Sequence, residues 1–183
     1  MKEIVVLTEE PSIKPVFESL AQKLALDAYL TVITHSGVSD LERSLPRKLK
    51  AWRNPNSAFL VVRDNDTGDC RSRKTRLQEI VKATGRSDKT LIRIVCQELE
   101  AWFLGDRQAM HDAGILDQGR NPSALRGNPD ALNKPSRLLD DYLNGYAKIG
   151  GAEAIAPFME PNRNLSRSFK ATVDALKHLA EEA

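Results

Sequence analysis

Four short runs of β-branched and aliphatic residues, each followed by a stretch with helical spacing, constrain this chain more than any other feature. Residues 3–8 (Glu-Ile-Val-Val-Leu-Thr), 29–34 (Tyr-Leu-Thr-Val-Ile-Thr), 57–62 (Ser-Ala-Phe-Leu-Val-Val) and 91–96 (Leu-Ile-Arg-Ile-Val-Cys) are apolar with little alternation. That pattern marks strands covered on both faces. After the first, Pro11-Ser12 suits a helix start, and Val16, Phe17, Leu20 and Leu24 form an amphipathic stripe. Residues 39–53 read as a basic helix, bent or restarted at Pro46. Residues 70–84 read as a charged helix with Leu77, Ile80 and Val81 inward, stopped by Gly85. Strand and helix alternating with connections of this length require right-handed crossovers and a parallel sheet, so the fold class is α/β.

Beyond residue 105 the strand signal ends. Helical stretches near 106–113, 135–146, 151–158 and 165–182 are punctuated by Pro122, Pro129, Pro135, Pro157 and Pro161. The expected organisation is an α/β core over 1–105 and a helical C-terminal extension over 106–183, packed on it as one compact unit. A length of 183 residues suits that arrangement and is too short for two full enzymes. The net charge of +2 excludes a strongly basic polyanion binder but leaves room for a local basic groove. Two cysteines, Cys70 and Cys96, cannot build a disulfide scaffold, and the single short apolar run at the N-terminus resembles neither a signal peptide nor a membrane span. A soluble cytoplasmic protein with no membrane association is expected.

Ligands of open parallel sheets collect beyond the carboxyl ends of the strands, where strand order reverses. In the order 2-1-3-4, strands 1 and 3 are neighbours at that reversal. The residues following them are Glu9-Glu10 and Asp64-Asn65-Asp66, with Glu98 and Glu100 after strand 4. Carboxylates crowded into one crevice repel each other unless a cation offsets them, and hard oxygen donors select Mg2+ or Mn2+. Taken singly, Asp64-Asn65-Asp66 also reads as a solvated loop, and Glu9-Glu10 as acids favoured at a helix start; their joint placement is what favours a metal site. Asp69 reads as the cap of the next helix. Glu98 and Glu100 read equally as ligands or as the exposed side of a helix whose Leu99, Trp102 and Phe103 are core.

Basic residues gather nearby. Arg71, Arg73, Lys74 and Arg76 crowd the first turns after the double-aspartate loop, and Arg47, Lys48, Lys50 and Arg53 flank Trp52. Either group suits a phosphate backbone or a solvated helix face. Lys134 and Lys148 are isolated in the helical region, surface residues or cations that fold over the crevice to stabilise developing charge. Phosphate-cradling glycine loops, a serine elbow and metal-spaced histidines are all missing.

An acid after strand 1 and Asp-x-Asp after strand 3 resemble the TOPRIM fold of topoisomerases, primases and OLD-type nucleases, a Rossmann-type four-stranded parallel sheet flanked by helices. More closely, Glu9-Glu10-Pro11-Ser12, the 62–70 block Val-Arg-Asp-Asn-Asp-Thr-Gly-Asp-Cys and the 97–106 block Gln-Glu-Leu-Glu-Ala-Trp-Phe-Leu-Gly-Asp resemble the signature blocks of a small TOPRIM-like bacterial family, domain of unknown function 4276. Lys134-Pro135-Ser136 and Tyr146-Ala147-Lys148-Ile149-Gly150-Gly151 extend the likeness over nearly the whole chain. The resemblance implies Mg2+ (or Mn2+) held by Glu9, Asp64 and Asp66, with Glu10, Glu98 and Glu100 as further metal candidates and Lys148 as a catalytic lysine. Glu10 stands where TOPRIM proteins usually carry glycine. Arg71, Arg73, Lys74 and Lys134 are the candidate phosphate contacts. The implied activity is phosphodiester hydrolysis of DNA or RNA in an anti-phage setting, beside an ATPase partner subunit. The alternatives are a non-catalytic docking subunit or a receiver-like phospho-acceptor domain. The latter suits Cys96-Gln97-Glu98 after strand 4 poorly, since receivers place Ser or Thr there.

Overall fold

The computed structural model describes residues 2–116, 127–143 and 146–182. Four strands, β1 (Glu3–Thr8), β2 (Tyr29–Thr34), β3 (Ser57–Asp64) and β4 (Thr90–Val95), form one parallel sheet in the order β2-β1-β3-β4. The chain enters at the centre, moves to one edge and returns past its start, so the order reverses between β1 and β3.

Side chains alternate across the sheet, and the two faces collect different helices. Ile4 and Val6 of β1 and Leu60 and Val62 of β3 share a cluster with Phe17 of α1 (Lys14–Lys23), and with Trp102, Phe103, Phe169 and Leu176. Val5, Leu7, Phe59 and Val61 face the other way, onto Leu41, Leu45 and Leu49 of α2 (Val38–Ala51) and Leu77 and Val81 of α3 (Cys70–Lys82). Double burial is why these strands read as unbroken apolar runs.

The region after β4 is helical: α4 (Glu100–Gly105), α5 (Arg107–Asp112), α6 (Pro135–Tyr142), α7 (Lys148–Ile155) and α8 (Arg167–Glu182). It shares the first cluster with the sheet. Trp102 meets Phe169 edge-on at 5.3 Å and donates its indole N–H to Ser168 Oγ at 2.9 Å. Asp106, almost fully buried, accepts from both the Nε and an Nη of Arg163, at 2.7 and 3.1 Å, and from the Glu160 N–H at 2.8 Å. Among the described residues no helix is long and apolar enough to cross a membrane.

Several boundaries differ from the sequence expectation. β3 continues two residues past Val62, so Asp64 ends a strand rather than opening a loop. α2 runs unbroken through Pro46, with no restart there. The stretch near 135–146 is helical only to Tyr142, and α7 begins at Lys148 instead of 151.

Candidate functional site

Register sets the first constraint. Thr8 of β1 pairs with Val62 of β3, so Glu9 and Glu10 run alongside Arg63 and Asp64. Glu10 keeps an extended backbone (φ −136°, ψ 155°), and strand alternation therefore continues past the end of β1. It sends Glu9 and Arg63 towards α2 and α3, and Glu10 and Asp64 towards α4 and α7.

On the second of these faces Asp64 is buried, and its Oδ2 accepts the Leu99 N–H at 3.3 Å. Burial pushes its carboxyl well above the usual range, and Glu10, Glu100 and Glu9 add to the shift. Glu100 is wholly buried. Tyr146 donates its hydroxyl to Glu100 Oε1 at 3.1 Å, while Oε2 has no hydrogen-bond partner. Burial raises this carboxyl too, against the pull of Lys148. Lys148 Nζ donates to Glu10 Oε2 at 3.3 Å. Burial alone would lower the lysine, but Glu100 and Glu10 hold it above its ordinary value. The other Glu10 oxygen accepts from Ser12 Oγ at 2.7 Å.

On the opposite face Glu9 is half-buried. Burial raises its carboxyl, Asp66 raises it further, and Arg63 pulls it back. Arg63, 7% exposed, stands with Nε 3.9 Å from Glu9 Oε2 and donates from Nη1 to Glu42 Oε1 at 3.1 Å. A buried arginine thus sits behind the first glutamate. The β2–α2 turn fixes the same segment: the Gly37 N–H donates to the Glu9 carbonyl at 3.0 Å. Buried His35 places Nδ1 2.7 Å from the Thr8 carbonyl and Nε2 2.6 Å from Lys48 Nζ. A neutral ring protonated on Nδ1 satisfies both contacts, and burial lowers its pKa accordingly.

Asp66 lies between these faces in a tight turn. Asn65 Nδ2 donates to the Gly68 carbonyl at 2.8 Å, and the Asp66 N–H donates to the Gln97 carbonyl at 2.7 Å. Asp66 and Gln97 both adopt left-handed backbone, φ 50° and 64°, a conformation that costs energy outside glycine. Asp69 caps α3 as the sequence implies, accepting from the Ser72 N–H at 2.9 Å.

The structure thus draws Glu9, Glu10, Asp64, Glu100 and Lys148 into one electrostatic group, which Asp66 joins through Glu9. Glu98 lies aside: its Oε2 accepts the Ser136 N–H at 2.8 Å, in the first turn of α6. Lys134 precedes that turn, exposed and with φ 49°, and no described contact brings its side chain to the carboxylates. Arg73 folds its guanidinium over Gly68, where any Cβ would collide with it. Arg71 and Lys74 are exposed on α3. Sequence reasoning gave Arg63, His35 and Tyr146 no role of their own and read Lys48 only as one of a basic cluster. The polar Arg63 directly after the apolar run of β3 was the one available signal; the others act through contacts between distant segments.

A hard divalent cation fits this donor set chemically. The donors are all oxygens, and Glu9 Oε2, Glu100 Oε2 and Asn65 Oδ1 are buried without a hydrogen-bond partner. Among the described residues, however, no three acidic, histidine or cysteine groups form a ready coordination shell. The split between sheet faces explains this: Arg63 draws Glu9 to one side and Lys148 draws Glu10 to the other.

Solved structures with the same fold are C-terminal regions of OLD proteins. That of Burkholderia pseudomallei aligns with a TM-score of 0.63 at 17% identity, covering 97% of this chain and 98% of that one. That of Xanthomonas campestris pv. campestris aligns at 0.57 and 15%, covering 97% and 95%. No curated protein matches the sequence. Residues 8–177 match the model described as "Domain of unknown function (DUF4276)", and the chain belongs to that family.

Proposed function

We propose that the protein is a Mg2+- or Mn2+-dependent phosphodiesterase acting on DNA or RNA, in the cytoplasm and beside an ATPase partner in anti-phage defence. One observation carries the reading: acids from three strand ends crowd the crest of the sheet with buried oxygens left unpartnered. The fold shared with OLD C-terminal regions supports it, beside the resemblance of the 62–70 and 97–106 blocks to TOPRIM-like sequences.

In this reading Glu9, Asp64 and Asp66 hold the ion, and Glu10, Glu98 and Glu100 are the further candidates. When bound, the ion acidifies an attacking water and neutralises charge on the phosphate. Tyr146 fixes Glu100 through its hydroxyl. Lys148 keeps its proton among the carboxylates and faces incoming phosphate oxygens as a fixed positive charge. Arg63 opposes the upward push of burial and Asp66 on the Glu9 carboxyl. Arg71, Arg73, Lys74 and Lys134 contact the phosphate backbone. The test is incubation with supercoiled DNA, single-stranded DNA and tRNA in Mg2+ or Mn2+, beside Asp64→Ala. Metal-dependent cleavage that the variant loses supports the reading; equal cleavage by both contradicts it.

A non-catalytic docking subunit is the second reading, favoured by the absence of a ready coordination shell among the described residues. It requires that no divalent ion raise the Tm.

A further inference from the structure

Helix α3 carries charge out of proportion to the chain. Arg71, Arg73, Lys74, Arg76 and Lys82 stand against one acid, Glu79, whereas the whole chain is only +2. Arg76 pairs with Glu42 at 3.4 Å and Arg73 covers Gly68. Lys74 and Lys82 are exposed and make no ion pair among the described residues. Both line a cleft of about 280 Å³ between α3 and the start of β4, where Arg93 joins them. Val81, Leu91 and Ile92 line it together with the polar Gln78, Ser87 and Thr90; among the described residues no carboxylate lines the cleft, and Asp174 is the acid that acts on Arg93.

At the edge of the sheet bordering this cleft one β4 carbonyl is taken by a side chain of the strand itself. Arg93 donates from Nη1 to the Ile92 carbonyl at 3.1 Å and from Nε to the Ala171 carbonyl at 2.9 Å, tying the edge to α8. What remains is a cation-rimmed recess whose lining mixes aliphatic and polar side chains. It is joined to the carboxylate crest by α3 itself, which starts directly after the Asp66 turn and spans about 18 Å.

We propose that α3 and the α3–β4 cleft bind an unpaired nucleic-acid strand and seat one nucleotide in the cleft. The combination of cations with aliphatic surface selects the unpaired strand. A base freed from its partner covers apolar surface, whereas a duplex offers this recess only sugar and phosphate. The proposal rests on the nuclease reading for the identity of the polyanion, but not on catalysis.

The experiment is fluorescence anisotropy in EDTA, so that cleavage plays no part. The probes are labelled single-stranded DNA and RNA of about 16 nucleotides, the upper site size of one single-strand-binding module, and a duplex of equal length. Wild type is compared with Lys82→Glu, Lys74→Glu/Lys82→Glu and the surface control Lys177→Glu, all checked by thermal melting. Single strands should bind about tenfold tighter than the duplex. Lys82→Glu should weaken them and lower the salt slope by about 0.7 or more; the double variant should do so further, and the control should not. Equal binding by Lys82→Glu and the control, or equal affinity for duplex and single strand, overturns the proposal. So does binding of polyglutamate with no binding of oligonucleotides, which identifies an acidic protein partner. Lys82-dependent binding without any cleavage would sink the nuclease reading alone, and cleavage with Lys82-independent binding would sink this one alone.

Discussion

Lys148 Nζ reaches Glu10 Oε2 at 3.3 Å across 138 residues of sequence, joining the first turn of α7 to the loop after β1. Its side chain is half exposed, so the ion pair itself contributes about 1 kcal/mol or less to folding. Lys148→Met should therefore move the Tm by no more than about 2–4 °C. The same change should lower the rate of phosphodiester cleavage by about a hundredfold or more, as loss of a preorganised cation does. Parallel melting and cleavage assays check the separation; equal losses in both would make the lysine structural.

Asp64 gives a pH dependence with a definite sign. Its carboxyl titrates higher in the folded chain than in the unfolded one, chiefly through burial. Between those two values the folded state holds the extra proton, so stability falls as pH rises from about 4. The penalty is complete above the folded pKa. Asp64→Asn removes it, and in EDTA at neutral pH the variant should melt above wild type. At pH 4 the gain should vanish. A lower Tm for the variant at neutral pH would show that the Asp64 charge is stabilised by its surroundings.

Gly151 has a role that follows from space alone. A Cβ there would collide with the Tyr146 ring, which must keep its place to donate to Glu100 at 3.1 Å. Gly151→Ala should displace the tyrosine and reduce cleavage to near the level of Tyr146→Phe. The double variant should be no worse than either single change, as expected for residues acting through one contact. Additive losses would place the glycine's role elsewhere.

How much of this was legible follows from the range of each contact. The four strands were legible in unbroken apolar runs such as 3–8 and 57–62, because double burial writes itself locally in sequence; their order 2-1-3-4 entered as a condition, and the sheet has it. The end of β3 was misplaced because Arg63 and Asp64 look like a loop. They are buried only because Glu9, Glu42 and the Leu99 N–H supply partners from elsewhere. Pro46 suggested a break that packing of Leu41, Leu45 and Leu49 overrides. The crowding of Glu9, Glu10 and Asp64 could be argued from topology. The buried state of Glu100 and its Tyr146 partner could not, since they are 46 residues apart.

Asp106 ties the start of α5 to the segment before α8 within the helical region, and its loss should be felt in folding rather than chemistry. Asp106→Ala leaves the Ala109 and Glu160 N–H groups and the Arg163 fork without their acceptor. A cost of about 3 kcal/mol or more is expected in denaturant unfolding. A change below 1 kcal/mol would mean that other groups or water replace the aspartate.

The most direct measurement is Mn2+ binding by calorimetry to wild type, Glu9→Gln, Asp64→Asn and the remote control Glu79→Gln. If acids from separate strand ends jointly hold the ion, Glu9→Gln and Asp64→Asn should each weaken binding at least tenfold while the control matches wild type. Mn2+ binding unchanged by either substitution, or no binding by the wild-type chain, would contradict the account.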